Sequence, residues 1–246
     1  MMKKILCIGN SFAQDASRYV WGISRAAGKA VKIVNLYIGG CDLSRHFRNM
    51  LSEKDAYAFE INGMTDTKVS ISLRDALLME NWDEITVQQQ SLKGTEYKSF
   101  SPYLEELVAY IRKMCPKANI WMFETWGYED GSKKLASTVF ETHEAMFEAL
   151  KVNYERLYKE IGAKGLIPGG EAILLANKQG GLSVYRDGYH MSYGFGRYLL
   201  GLLFFGTMVG GDPLSDTFCD FDEEISEEHR EIAKQIAASV LTTYAK

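Results

Sequence analysis

Residues 3–12 read Lys3-Lys4-Ile5-Leu6-Cys7-Ile8-Gly9-Asn10-Ser11-Phe12, and the fold turns on this stretch. A short apolar run closed by glycine is the pattern of a strand buried on both faces. Apolar residues then recur at helical spacing at Ala16, Tyr19, Val20, Ile23 and Ala27 and stop near Gly28, so the chain opens as strand, turn, helix. The same unit recurs further along. Strands are predicted at 30–37, which ends in Gly39-Gly40, at 82–87, at 119–123, and at 163–167, which closes on Pro168-Gly169-Gly170. Helical patterns fill 103–114, 133–161, 171–177, 193–208 and 223–244. Strands alternating with helices imply an α/β fold, a three-layer α/β/α sandwich around a mostly parallel five-stranded sheet, in one domain spanning residues 1–246. Residues 41–80 are the least regular part. The alternation at 68–72 predicts an extra edge strand or a short hairpin there.

The composition narrows the possible functions. The chain has 246 residues, 28 Lys plus Arg against 32 Asp plus Glu, a formal charge of -4, 46% hydrophobic and 24% charged residues. That is an ordinary globular balance, so disordered, collagen-like and disulfide-scaffold classes are excluded. Without a basic cluster, nucleic acid is not an expected partner. The near-neutral charge suits a neutral small-molecule substrate better than a polyanion. Cys7, Cys41, Cys115 and Cys219 lie far apart with no zinc-type spacing, which predicts free thiols and no metal. The longest nearly apolar stretch, 198–209, is too short to span a bilayer. The run at 5–8 is too short for a secretory leader, so a cytoplasmic location is expected unless a longer leader has been removed, which would make the protein secreted or periplasmic.

In an open parallel sheet, ligands bind at the carboxyl ends of the strands. The residues just past those ends are Gly9-Asn10-Ser11-Phe12, Ile38-Gly39-Gly40-Cys41, Gln88-Gln89-Gln90-Ser91, Glu124-Thr125-Trp126 and Gly169-Gly170-Glu171. A serine between a strand and a helix projects from that edge, and as a nucleophile it needs a base. Of the four histidines, His46, His143 and His229 read as surface residues. His190 lies in Arg186-Asp187-Gly188-Tyr189-His190, just before an apolar helix. Asp187 can reach its imidazole across Gly188, leaving Nε2 free for Ser11, which would complete a serine, histidine, aspartate triad. The Ser11 and Gly40 backbone N–H groups and the Gln90 amide are candidate oxyanion donors. Each residue also has a plainer reading: Ser11 as a helix N-cap, Asp187 as a turn former, Gly40 as a turn glycine and Gln90 as a satisfied structural amide. Trp126, Tyr128 and Tyr189 could line a pocket or simply pack. A flavodoxin-like ligand-binding module, with Ser11 and the glycines around a phosphate, is the reading from a different class, although neither GxxxxGK[ST] nor GxGxxG occurs after the first strand.

The four blocks together resemble the SGNH hydrolases, the branch of the GDSL esterases and lipases named for Ser, Gly, Asn and His, and in particular a bacterial subgroup with a GNSF first block. Gly9-Asn10-Ser11-Phe12 stands where the family has Gly-Asp-Ser-Leu, Gly40 matches the second-block glycine, and Asp187 and His190 match Asp-x-x-His. The third block departs: Gln88-Gln89-Gln90-Ser91 replaces Gly-x-Asn-Asp, with Gln90 aligned to the asparagine and Gln88, on the same strand face, the alternative. The resemblance implies a flavodoxin-like sheet of the SGNH hydrolase type. It also implies a cofactor-free esterase acting through an acyl-enzyme at Ser11, with short acyl esters of a carbohydrate as the first expectation. A lysophospholipase or thioesterase is the alternative, and would need a long apolar groove.

Overall fold

The computed structural model describes residues 1–244. Its elements run β1 (Lys3–Gly9), α1 (Ser11–Ser17), α2 (Val20–Ala26), β2 (Val31–Tyr37), α3 (Leu43–Ser52), β3 (Tyr57–Ile61), β4 (Ser70–Ile71), α4 (Leu73–Leu78) and β5 (Glu84–Val87). There follow α5 (Ser91–Gly94), α6 (Tyr103–Met114), β6 (Asn119–Phe123), α7 (Lys133–Ala136), α8 (His143–Glu160), β7 (Gly165–Ile167), α9 (Gly169–Gln179), α10 (Phe195–Phe204) and α11 (Glu227–Tyr244). The sheet has the order β4-β3-β2-β1-β5-β6-β7. The five expected strands are its parallel part, paired β2-β1-β5-β6-β7. Helices α1, α2, α10 and α11 pack with one another against it, and α3, α4 and α6 form a second group. Covering both faces is what turns strands such as Ile5-Leu6-Cys7-Ile8, all at most 1% exposed, into unbroken apolar runs.

The sheet has seven strands rather than five, because β3 and β4 extend it antiparallel beyond β2. The edge strand expected at 68–72 is β4. The strand β3 was hidden because Tyr57-Ala58-Phe59-Glu60-Ile61 carries a buried glutamate whose amide partners, Gln14 and Asn35, are far away in sequence.

Two long helical patterns also divide. The pattern after β1 becomes α1 and α2, separated where the buried Tyr19 sends its hydroxyl to the Tyr193 carbonyl and accepts from the Asp222 N–H at 2.8 Å. The pattern at 133–161 becomes α7 and α8 because Thr142 caps a fresh start, accepting the Ala145 N–H at 3.1 Å. After Phe204 the last apolar helix loosens into a π-turn over Phe205–Val209. None of the described helices is long and apolar enough to cross a membrane.

Candidate active site

Ser11 is not the N-cap of the first helix. The capping residue of α1 is Asn10, whose Oδ1 accepts the Phe12 N–H at 3.0 Å, so Ser11 becomes the first helical residue with its hydroxyl free. Asn10 is fixed in turn by donating to the Cys41 carbonyl at 2.9 Å and accepting from Gln88 Nε2 at 2.9 Å. The approach is close: a Cβ on Gly9 would lie 2.6 Å from the Ala13 Cβ and 2.7 Å from Gln88 Oε1.

Ser11 Oγ lies 2.8 Å from His190 Nε2, and His190 Nδ1 lies 2.7 Å from Asp187 Oδ2. The second Asp187 oxygen accepts the His190 N–H at 2.9 Å, so the carboxylate grips both the ring and the backbone of the same residue. This loop is a tight reversal, closed by Arg186 N–H to the His190 carbonyl at 3.0 Å and Ser192 N–H to the Val184 carbonyl at 2.8 Å. Gly188 sits at φ +88°, and a Cβ there would come within 2.7 Å of the Ser132 Cβ, so only glycine fits. Burial pushes the Asp187 carboxyl up, but the hydrogen bonds from the His190 ring and backbone outweigh it and hold the group below the usual carboxylate range.

An open cavity of roughly 380 Å³ lies over this pair, bordered by Ser11, Gly40, Gln90, Tyr128, Tyr189 and His190 among others. Gly40 has φ +62°, and a Cβ on it would touch no protein atom, so its backbone conformation is what calls for glycine. The N–H groups of Ser11 and Gly40 have no acceptor among the described residues. Gln90 Oε1 accepts the Lys93 N–H at 2.9 Å, which orients its Nε2 toward Tyr128 Oη, 3.4 Å away at the cavity wall.

The three consecutive glutamines therefore have three jobs. Gln88 is buried with its Nε2 committed to Asn10, so it does not reach the cavity. Gln89 accepts the N–H groups of Leu43 and Gln90, both at 2.9 Å, and ties down the loop through the Ser99 carbonyl.

Of the three aromatics, Tyr128 and Tyr189 border the cavity. Trp126 does not: it is 0% exposed, stacked on Phe12 with ring centroids 4.0 Å apart, and its Nε1 donates to the Tyr189 carbonyl at 2.8 Å. It backs the wall that a ligand would touch.

Two histidines expected at the surface are buried. His46 pairs with Tyr57 Oη at 3.0 Å and burial lowers it to about 4, while His143 pairs with Tyr185 Oη at 2.9 Å and is likewise lowered by burial. Both tyrosines lie well apart from their histidines in sequence, so the helical pattern alone did not reveal the pairing.

An ionic cluster that no motif announced joins the two loops. Asp15 on α1, 0% exposed, accepts from Arg186 at 2.9 and 3.0 Å, from Arg197 at 2.8 Å and from the Met191 N–H at 3.1 Å. Arg197 continues to Asp222 at 2.9 Å, and Asp222 also binds Arg18. The cluster fastens the Asp187–His190 loop to the helix that begins with Ser11.

Glu124, past the end of β6, faces the core instead of the cavity. Burial pushes its carboxyl up to about 8, opposed by the Glu171 N–H that it accepts at 3.2 Å. The folded protein therefore keeps a proton that the unfolded chain has lost, and stability falls as pH rises from the ordinary glutamate value of 4.5 through about 8. Glu124→Gln is expected to raise stability at pH 8 by on the order of 2 kcal/mol, after allowing for the amide's own unpaired N–H, and to give no gain near pH 4. Urea unfolding at both values measures this, and an equal effect at both would contradict it.

The fold is that of the SGNH hydrolases. A Slackia heliotrinireducens protein provisionally described as an SGNH hydrolase superimposes with a TM-score of 0.58 at 22% identity, over 85% of this chain and 100% of that one. A family 3 carbohydrate esterase from Clostridium thermocellum superimposes with a TM-score of 0.51 at 10% identity, over 85% of this chain and 96% of that one. More particularly, the chain belongs to the family described as "Domain of unknown function (DUF4886)", whose profile matches residues 4–240. A member of that family from Bacteroides uniformis ATCC 8492 shares 30% identity over 98% of this chain and 95% of that one, with a TM-score of 0.91. Comparison with curated proteins finds no match.

Proposed function

We propose that the protein is a serine esterase in which Ser11 is the nucleophile, His190 the general base and acid, and Asp187 the residue that orients and charge-balances the imidazole. The observation that carries this reading is the continuous pair of contacts, 2.8 Å from Ser11 Oγ to His190 Nε2 and 2.7 Å from Nδ1 to Asp187. A purely structural serine or a phosphate-cradling loop has no need of an imidazole aimed at its hydroxyl.

As Ser11 Oγ bonds to the ester carbonyl carbon, its proton passes to His190 Nε2. The oxyanion is held by the Ser11 and Gly40 N–H groups and by Gln90 Nε2. The carbon to alkoxy bond then breaks, the alcohol leaves with the proton from His190, and the acyl group stays on Ser11. Water attacks that acyl carbon, gives its proton to His190, and frees the acid as Ser11 recovers its hydrogen. Every proton is carried by residues of this chain.

For the substrate, short acyl groups on a polyhydroxy alcohol such as a sugar fit best. The cavity is open, and Gln14, Tyr37, Gln90 and Tyr128 give it polar groups beside Tyr189. A long acyl chain needs a continuous apolar groove, whereas polar side chains interrupt the apolar surface of Phe12 and the tyrosines here. Turnover of 4-nitrophenyl acetate is expected to exceed that of the octanoate by about tenfold or more in kcat/KM. A preference for the octanoate would reject the short-chain assignment, and absence of turnover with both would count against the esterase reading.

A further inference from the structure

The cavity wall carries cations that the chemistry above does not use. Lys134 projects from α7, a single turn capped by Ser132, whose Oγ accepts the Leu135 N–H at 3.1 Å, and anchored by the buried Leu135. Its ammonium lies 4.8 Å from the ring centroid of Tyr189 and 5.6 Å from that of Tyr128. The Tyr189 ring lies in turn 4.0 Å from the imidazole of His190. Two aromatic faces hold the charge, one of them the ring that packs on His190, yet the Lys134 side chain donates no hydrogen bond and forms no ion pair among the described residues. The neighbouring Asp130 accepts the His143 N–H, and Glu129, whose Oε2 lies 3.8 Å from where a Gly188 Cβ would sit, forms no ion pair with Lys134 among the described residues. Arg186, also in the cavity lining, reaches Asp15 and the Met191 carbonyl through Nη1 alone, leaving its other N–H groups without a hydrogen-bond acceptor among the described residues. The cluster behind it sets three arginines, Arg18, Arg186 and Arg197, against two aspartates, Asp15 and Asp222. No Asp or Glu borders the cavity. The charged groups that face the cavity are thus cationic, with the Asp187 carboxylate behind His190 and Asp15 behind Arg186, in a chain whose formal charge is -4.

We propose that the substrate is an ester carrying an anionic group of the carboxylate class, received by Lys134 as the specificity-determining residue with Arg186 as a second cation of the lining. This rests on the esterase reading for the ester and on the placement of Lys134 for the anion. The overall charge suggested a neutral substrate; the local charge of the cavity replaces that expectation with a single anionic substituent, since a polyanion would still meet a net negative protein.

The test compares matched pairs of esters: an O-acetylated hexuronic acid against the corresponding O-acetylated hexose, and mono-4-nitrophenyl succinate against 4-nitrophenyl butyrate. The first pair puts the charge on the alcohol and the second on the acyl group. In at least one pair the charged member is expected to be favoured about fivefold or more in kcat/KM, the scale of one partly exposed ion pair. Lys134→Gln is expected to erase that preference and Lys134→Arg to keep it. A ratio at or below one in both pairs, or a preference unchanged in Lys134→Gln, would overturn the proposal. Binding to Ser11→Ala separates it from the esterase reading, because calorimetry with free hexuronate and free hexose requires no turnover. Tighter binding of hexuronate, lost in the Lys134→Gln double variant, supports the anion site even if no ester is cleaved, and equal binding of the two sugars rejects it.

Discussion

Replacing Ser11 by alanine is expected to lower kcat for a short-chain ester by at least about three orders of magnitude, with the fold intact. Ser11 is the first residue of α1 and its hydroxyl contacts only His190, so its loss removes the reacting oxygen and no packing. His190→Ala is expected to cost about as much, and the double variant little more, because the two residues act as one unit. Asp187→Asn is expected to cost less than either. Its side chain is 42% exposed, so water can compensate part of the lost charge, and the amide oxygen can still accept the His190 N–H. Steady-state kinetics on the four variants measures the series. Additive losses for Ser11 and His190 would mean that they do not work together.

The second large effect is expected at Asp15, which touches no substrate. Asp15→Asn leaves Arg186 and Arg197 beside a neutral amide, with side chains only 19% and 10% exposed. Breaking a buried pair from one side costs roughly 3 to 5 kcal/mol, against a typical total stability of about 5 to 15. The same change loosens the Met191 end of the loop that carries Asp187 and His190, so kcat is expected to fall about tenfold while KM changes little. Asp15→Glu, which keeps the charge, is expected to recover part of both. Denaturant unfolding together with kinetics checks this, and a variant of normal stability and normal kcat would show that the cluster does not hold the loop.

What could be read from the sequence followed from how local each signal is. Ile5-Leu6-Cys7-Ile8-Gly9 announces a doubly buried strand within five residues, and Asp187-x-x-His190 is a contact that its own turn creates. Both were legible for that reason. The capping role could go to Asn10 or Ser11; Asn10 takes it by accepting the Phe12 N–H, and the Gln88 amide, 78 residues away, helps to fix it there. Gln88, Gln89 and Gln90 were indistinguishable as letters, since their separate duties depend on partners from the cap of α1, from α3 and from the cavity wall. His46, His143, Glu60 and the Asp15 cluster were misread or missed on the same ground. A buried polar residue resembles an exposed one until its distant partner is known.

The central claim is that Ser11 is a nucleophile activated by His190, and covalent labelling addresses it without knowledge of the natural substrate. Wild-type protein treated with a fluorophosphonate probe is expected to gain one adduct by intact mass, located by peptide mapping to Ser11, with His190→Ala labelled at least about a hundredfold more slowly. An unlabelled wild-type protein, or an adduct on any other residue, would contradict the account.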